Sequence, residues 1–310
     1  MAASVSEKLY GFPAAPLLRR AWSYAQLMRL DRPIGILLLL WPTLWALWIA
    51  ARALPGEKAG GWLAALPSAK LLFVFIAGTI VMRSAGCVIN DFADRNIDPH
   101  VKRTRSRPLA SRRVSPYEAL WLFGVLVALA LLLVTRLDTR TVYFSFVGAA
   151  LTISYPFMKR FFALPQFYLG AAFGWAVPMA FVATLGGVPR VGWVLFIVTL
   201  LWAGVYDTLY AMVDRDDDVK LGVQSTAIAF GDMDTMLVGV MQLMVLGGLA
   251  LVGRSVGLHW PFFASLGVAA VLFAWQQWLI RDRQRDACFK AFINNHWVGL
   301  VVMIGVVLGQ

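Results

Sequence analysis

The sequence predicts an all-α polytopic membrane protein of nine spans. Three observations carry that prediction. First, 60% of the 310 residues are hydrophobic, only 15% are charged, and mean hydropathy is +0.69. A soluble fold cannot bury so much apolar surface. Second, the apolar residues gather into nine stretches, each near the roughly 20 residues that a bilayer-spanning helix needs. Third, Lys and Arg alternate between the loops as the positive-inside rule requires. No run shows the alternating period of a membrane barrel. The composition excludes a soluble globular enzyme, a disordered chain and a nucleic-acid-binding module. The lipid bilayer is the expected partner, and nucleic acid is not.

The elements follow in order. Residues 1–30 form a charged, Pro-containing lead without the apolar core of a secretory signal, expected on the cytoplasmic side. Span one, 34–51, starts after Pro33, which a first helical turn tolerates, and Pro42 is expected to kink it. Span two, 71–90, runs from Lys70 to an acidic cluster and carries Arg83 inside it. A loop over about 91–117 follows, with seven basic residues. Span three, 118–136, ends at Arg136; span four, 140–158, returns to Lys159 and Arg160. Span five, 165–184, contains a second kinking proline, Pro178. Span six, 192–213, ends at a second acidic cluster that opens a loop over about 214–234. Span seven, 235–253, stops before Arg254. Span eight, 260–280, leads to Arg281, Arg283, Arg285 and Lys290, and span nine, 288–309, closes the chain. Twenty basic residues then share the face of the N-terminus, against seven on the other. That bias predicts a cytoplasmic N-terminus and a periplasmic C-terminus. The net charge of +11 is accordingly read as topology anchors. Residues 1–310 are read as one integral-membrane domain, placed in a bacterial inner (plasma) membrane because no transit peptide is evident.

The chain has 17 acidic residues, and only Glu7, Glu57 and Glu118 are Glu. Most of the 14 Asp fall in two segments. Asn90, Asp94 and Asp98 are spaced by four, so they share one helical face, which Asp91 joins; Asp214 and Asp218 repeat the spacing. Like charges so placed repel unless a cation or proton intervenes. The ligands are all oxygen. Cys87 and Cys288 lie apart, and His100, His259 and His296 are scattered, so hard metals are favoured over zinc. Mg²⁺ suits one or two carboxylates completed by water and phosphate oxygens, whereas a calcium loop would need a glycine and a distal Glu. Two such clusters on one face, 120 residues apart, suit a diphosphate gripped from both sides. The equal spacing also suggests two four-helix units plus a ninth helix.

Basic and polar groups surround the acids. Lys102 and Arg103 either anchor the loop to lipid headgroups or touch a diphosphate. Arg83 and Asp207 each lie seven residues before a motif acid. They form an intramembrane ion pair, or one or both meet a polar co-substrate. Tyr155 and Lys159 share a face at the end of span four, as interfacial anchors or as part of the site.

At these residues the chain resembles the UbiA superfamily of intramembrane prenyltransferases. The likeness runs from Arg29-Leu30-Asp31-Arg32-Pro33-Ile34-Gly35 to Ala287-Cys288-Phe289-Lys290-Ala291-Phe292. Asn90-x3-Asp94-x3-Asp98 is similar to the family's first motif, Asp214-x3-Asp218 to its second, and Tyr155-x3-Lys159 to the one between. Arg83-Ser84-Ala85-Gly86-Cys87, Lys102-Arg103-Thr104, Tyr206 to Asp214 and Ser225-Thr226-Ala227-Ile228 resemble the branch acting on 4-hydroxybenzoate. The resemblance implies a helical bundle around a central cavity open sideways to lipid, with a cytoplasmic cap made of the 2–3 and 6–7 loops. It implies Mg²⁺-dependent transfer of a polyprenyl group from polyprenyl diphosphate to 4-hydroxybenzoate, in ubiquinone biosynthesis. Asp94 and Asp98, with Asn90 and Asp91, would then hold one Mg²⁺, and Asp214 and Asp218 the other. Lys159, Tyr155, Lys102 and Arg103 would donate to the diphosphate. Arg83 or Arg160 would meet the acceptor carboxylate, and Asp207 would orient its hydroxyl. A different aromatic acceptor is the alternative. A cation or diphosphate transporter fits less well, because transporter sites lie near the midplane.

Overall fold

The computed structural model describes residues 16–53, 66–100, 104–158, 161, 164–221 and 225–310. Among them, nine helical segments are long and apolar enough to cross a membrane, as the sequence predicts. The first helix among the described residues is α1 (Pro16–Leu27), which turns Ser23 and Leu27 inward and Leu17, Leu18 and Trp22 outward. The expected charged lead thus contains an amphipathic helix. The first two spans are α2 (Ile34–Arg52) and α3 (Ala69–Ala93). After α3 comes a 3₁₀ turn, Asp98–His100. Spans three and four are α4 (Pro116–Val134) and α5 (Thr139–Met158). A capping box starts α4: Ser115 Oγ accepts from the Glu118 amide, and Glu118 returns the bond to the Ser115 amide. Tyr24 and Arg20 of α1 also donate to Glu118, which fastens the leading helix to the bundle.

Span five is broken into α6 (Pro165–Gly174) and α7 (Ala176–Leu185). Pro178 accounts for the break: it cannot donate to the Gly174 carbonyl, and its ring crowds that group. Pro42, by contrast, sits inside the continuous α2. Span six is α8 (Arg190–Leu221), and the short α9 (Thr226–Ala229) follows. The last three spans are α10 (Asp234–Ser255), α11 (Trp260–Ile280) and α12 (Arg285–Leu308). One expectation is corrected here. Span six does not end at 213; α8 continues unbroken through the second acidic cluster. The two acidic segments therefore differ in backbone, one a helix end with a 3₁₀ turn and the other a helix interior.

The main core joins α2, α7, α8, α10, α11 and α12, around Trp45 stacked on Trp202 at 5.1 Å. Close approach is required there. A Cβ on Gly299 would lie 2.2 Å from the Trp41 ring, so only glycine lets α12 meet α2. Buried amides tie the same helices. Gln242 donates to Gln276, Gln276 to Asn294, and Trp202 to Asn295. With no water in the bilayer interior, such groups must satisfy one another. A second, smaller core packs α1, α3, α4 and the 2–3 loop. Although consecutive, α4 and α5 touch each other little; α4 packs on α3, and α5 on α6, α7 and α3. A cleft remains between them.

Candidate active site

That cleft belongs to a cavity of about 560 Å³. Its mouth lies at the face carrying the acidic clusters, between Arg29, Arg32, Arg107 and Arg113. Its middle is lined by Arg83, Asn90, Asp91, Tyr155, Tyr206, Asp207 and Tyr210. Its far end is apolar and reaches Val134, Leu137, Phe146, Trp175 and Met179. A charged mouth and a greasy floor suit a molecule with a polar head and a long apolar tail.

The helices explain who lines the middle. Arg83 and Asn90 are seven residues apart on α3, and Tyr206 and Tyr210 are four apart on α8 next to Asp207, so each set presents one face. Tyr155 lies within electrostatic reach of Asp94, Asp207 and Arg83. The first acidic segment, the second span-six residue set and Tyr155 therefore converge at one end of the bundle. The Arg83 guanidinium rests over the Phe173 ring at 5.5 Å, and its Nε is buried with no hydrogen bond among the described residues. Phe292 packs on Tyr206, Tyr210 and Phe289 beside the cavity.

Asp91 departs from its expected ligand role. It is 1% exposed, and both its oxygens accept from Arg29 Nη2 at 2.9 Å. Arg107 Nη1 adds a third bond at 3.1 Å and reaches Asp98 Oδ2 at 2.9 Å. Asp91 is thus the hub of an ion-pair cluster that pins the 2–3 loop and the α1–α2 turn onto α3. Arg29 holds a left-handed backbone, φ +57°, to get there, a conformation rare outside glycine. Burial pushes the Asp98 carboxyl above its ordinary range, against the pull of Arg107. Burial also works against the charge on Arg107, but Asp91 and Asp98 outweigh it and raise its proton affinity.

Asp94 and Asp98 are buried at the α3 end, and Asp214 and Asp218 are half-buried on α8. None of the four lines the cavity itself. The i,i+4 spacing of the first set survives the end of α3. The Asp94 amide donates to the Asn90 carbonyl and the Asp98 amide to the Asp94 carbonyl. Lys102, Arg103, Lys159 and Arg160 lie outside the described residues. Thr104, from the same string, anchors the loop by donating to the Asp98 carbonyl at 3.0 Å. Thr226 does likewise for the 6–7 segment, meeting Thr208 of α8 at 2.7 Å. Among the described residues, no three Asp, Glu, His or Cys side chains form a ready metal cage. That donor set fits Mg²⁺, which binds through few carboxylates and substrate phosphate.

Sequence reasoning missed Arg29 and Arg107, whose bonds to Asp91 span 62 and 16 residues. It also left the aromatic lining unassigned. The four-residue spacing of Tyr206 and Tyr210 on the helix of the second motif was the available signal.

The comparisons with known proteins agree with the geometry. A family model described as the UbiA prenyltransferase family matches residues 39–299. A 4-hydroxybenzoate octaprenyltransferase of Alkalilimnicola ehrlichii is 54% identical over 93% of this chain and 94% of its own length. One of Pseudomonas syringae pv. tomato is 54% identical over 93% of each chain. Among solved structures, a UbiA homologue from Aeropyrum pernix superposes with a TM-score of 0.74 at 23% identity, covering 88% of this chain and 97% of that one. A homologue from Archaeoglobus fulgidus, solved with GPP and Mg²⁺, gives 0.63 at 17% identity, covering 91% and 99%. With 261 consecutive residues matched by the family model and more than half of the aligned positions identical in those relatives, the chain belongs to the UbiA prenyltransferase family.

Proposed function

We propose that this protein is a 4-hydroxybenzoate polyprenyltransferase. It transfers a polyprenyl group from polyprenyl diphosphate to the ring carbon ortho to the hydroxyl and releases diphosphate, as a step toward ubiquinone. The observation that carries the reading is the cavity: guanidiniums and acids at one mouth, Arg83 deeper within it, and an apolar floor. The identity to relatives of that name supports the acceptor, and their name makes octaprenyl diphosphate the first donor to test.

In this reading Asp94 and Asp98 hold one Mg²⁺, and Asp214 and Asp218 another, with Asn90 beside the first pair. Asp91 supports that site by holding Arg107 and Arg29. When bound, the magnesium neutralises the diphosphate and eases its departure. Lys159, Lys102, Arg103 and Tyr155 donate to the leaving group. The carbon–oxygen bond to the prenyl group breaks, and Tyr206, Tyr210, Phe289 and Phe292 offer π faces to the allylic cation. Arg83, or Arg160, holds the acceptor carboxylate, and Asp207 orients the phenol so that its ortho carbon faces the cation. The new carbon–carbon bond forms, and loss of the ring proton restores aromaticity. The tail lies between α4 and α5 and leaves toward lipid. The protein sits in a bacterial inner membrane as one domain with its N-terminus in the cytoplasm, which the charge bias supports.

The test uses membranes containing the protein, Mg²⁺, octaprenyl diphosphate and 4-hydroxybenzoate. Product should form and should disappear with EDTA. Asp94→Ala and Asp214→Ala should each lower turnover at least about 10²-fold, the scale of losing transition-state charge stabilisation. Full activity in either variant, or preference for another aromatic acid, overturns the reading.

A further inference from the structure

Away from the cavity, the same face carries another buried carboxylate. Asp234 begins α10 and is fully buried. Its Oδ1 accepts from Arg283 Nε at 2.9 Å, Arg283 Nη2 at 2.8 Å and the Thr235 amide at 2.7 Å. Its Oδ2 accepts from Arg215 Nη1 at 3.2 Å. Arg283 holds φ +52° in the α11–α12 turn and donates also to the Asp232 carbonyl at 2.7 Å. Beside them, Arg285 of α12 donates to Asp216 of α8 at 3.0 Å. None of these residues lines the cavity.

This cluster is costly to build. A fully buried carboxylate must be desolvated, and a non-glycine residue at positive φ is strained. Its position gives it a use. Arg215 stands in sequence between Asp214 and Asp218. At 100° per residue, Arg215 lies about 60° around α8 from Asp218 and about 100° from Asp214. Pairing with Asp218 at i,i+3 is the natural alternative for this guanidinium. Asp234 draws it toward α10 instead.

We infer that Asp234 is a positioning residue for the metal–diphosphate site. It holds Arg215 away from Asp214 and Asp218. The inference rests on the proposed role of Asp214 and Asp218.

The test is made on purified full-length protein. Mn²⁺ binding is followed by electron paramagnetic resonance in the presence of inorganic diphosphate, beside activity as a function of Mg²⁺. Asp234→Asn should weaken Mn²⁺ binding about tenfold, the loss typical of removing a group that orients metal ligands. The Mg²⁺ needed for half-maximal rate should rise by the same factor, with kcat at saturating Mg²⁺ kept within about twofold. Adding Arg215→Gln should restore Mn²⁺ binding to within about threefold of the starting protein, because the released cation is then gone. A merely structural role would lower kcat and thermal stability without moving metal affinity, and Arg215→Gln would rescue nothing. Either result overturns the inference. Asp214→Asn separates the two levels. If it leaves Mn²⁺ binding intact, the reading of Asp214 as a ligand fails; if it abolishes binding while Asp234→Asn does not weaken it, only the role of Asp234 fails. Should Asp234→Asn not fold, Arg215→Gln alone decides. A guanidinium already held by Asp234 can be removed with less than about a threefold change in Mn²⁺ affinity, and a larger change refutes the proposal.

Discussion

Asp91 offers a sharp test, because sequence pattern and structure assign it different work. The spacing makes it a metal ligand; the structure makes it the hub of an ion-pair cluster. Consider Asp91→Asn, which keeps the shape and removes the charge. Its carboxylate is 1% exposed, while the Arg29 and Arg107 side chains keep 21% and 20% of their surface. Breaking a fully buried pair costs about 3–5 kcal/mol. Both arginines retain some water here, and the new amide still accepts one bond, so the expected loss is about 2–3 kcal/mol. For a chain of this size that corresponds to a fall in Tm of about 4–6 °C. Trp fluorescence during heating in detergent reads it directly. Asp94→Asn is the comparison: it leaves the Arg29 and Arg107 bonds to Asp91 in place and should lower Tm less than Asp91→Asn does. Mg²⁺ with a non-hydrolysable prenyl diphosphate should still raise the Tm of Asp91→Asn, because a ligand that binds only the folded state stabilises it. If Asp91→Asn melts like the parent and loses that ligand-induced rise, Asp91 is a ligand and the clamp is wrong.

Three further outcomes are expected. Gly35→Ala places a methyl group 2.6 Å from Arg83 Nη2; a flexible side-chain end can yield, so Tm should hold while KM for 4-hydroxybenzoate rises about tenfold, and a rise in donor KM instead would refute Arg83 as the acceptor anchor. Gly299→Ala puts a methyl into the Trp41 and Trp202 rings and should destabilise by about 1–3 kcal/mol, seen as a lower Tm with unchanged KM for both substrates. Asp138 caps α5 through the amides of Arg140 and Thr141 and the Thr141 hydroxyl. Burial alone would raise its carboxyl, but those bonds win and hold it below the ordinary range. Its contribution is therefore complete above the unfolded carboxylate pKa and fades as pH falls through the lower folded value. Asp138→Ala should cost about 1 kcal/mol with the same Tm difference at pH 7 and pH 5, and a difference that vanishes already at pH 5 would contradict the cap.

The spans were legible because each is a local fact. Twenty apolar residues announce themselves, and the basic loops fix their alternation. What was hidden is of two kinds. The end of α8 was read as a loop because Asp214 to Asp218 is so charged; it stays helical because Asp234 and Arg285 meet Arg215 and Asp216 from other helices. The ion-pair partners of Asp91 and Asp234 were likewise invisible, since helical spacing reveals neighbours three or four residues away and not an arginine 62 or 49 residues distant. The acidic motifs stand out by spacing alone, but spacing could not say which of their carboxylates an arginine holds. Even the aromatic lining follows this rule: Tyr206 and Tyr210 share a local helix face, whereas Phe292 joins them from the last span.

The division of labour among the aspartates follows from electrostatics at a membrane face. Acidic side chains in low-dielectric surroundings repel each other strongly unless positive charge lies beside them. Part of that charge is resident, and one such cation, Arg107, already sits on Asp98. Arg29 and Arg107 around Asp91, and Arg215 and Arg283 around Asp234, supply it. The Asp234 cluster gives one buried carboxylate to two guanidiniums and so keeps a net positive charge, whereas Arg29 and Arg107 offset Asp91 and Asp98. Arginine suits this task better than lysine, because its planar fork is held in place by two or three bonds and stays charged when buried. Removing the clamp carboxylate Asp234 should therefore harm metal binding by freeing a cation, and removing Arg215 as well should restore it. Opposite charge changes at one clamp should compensate each other, which no account of these residues as simple surface pairs would predict.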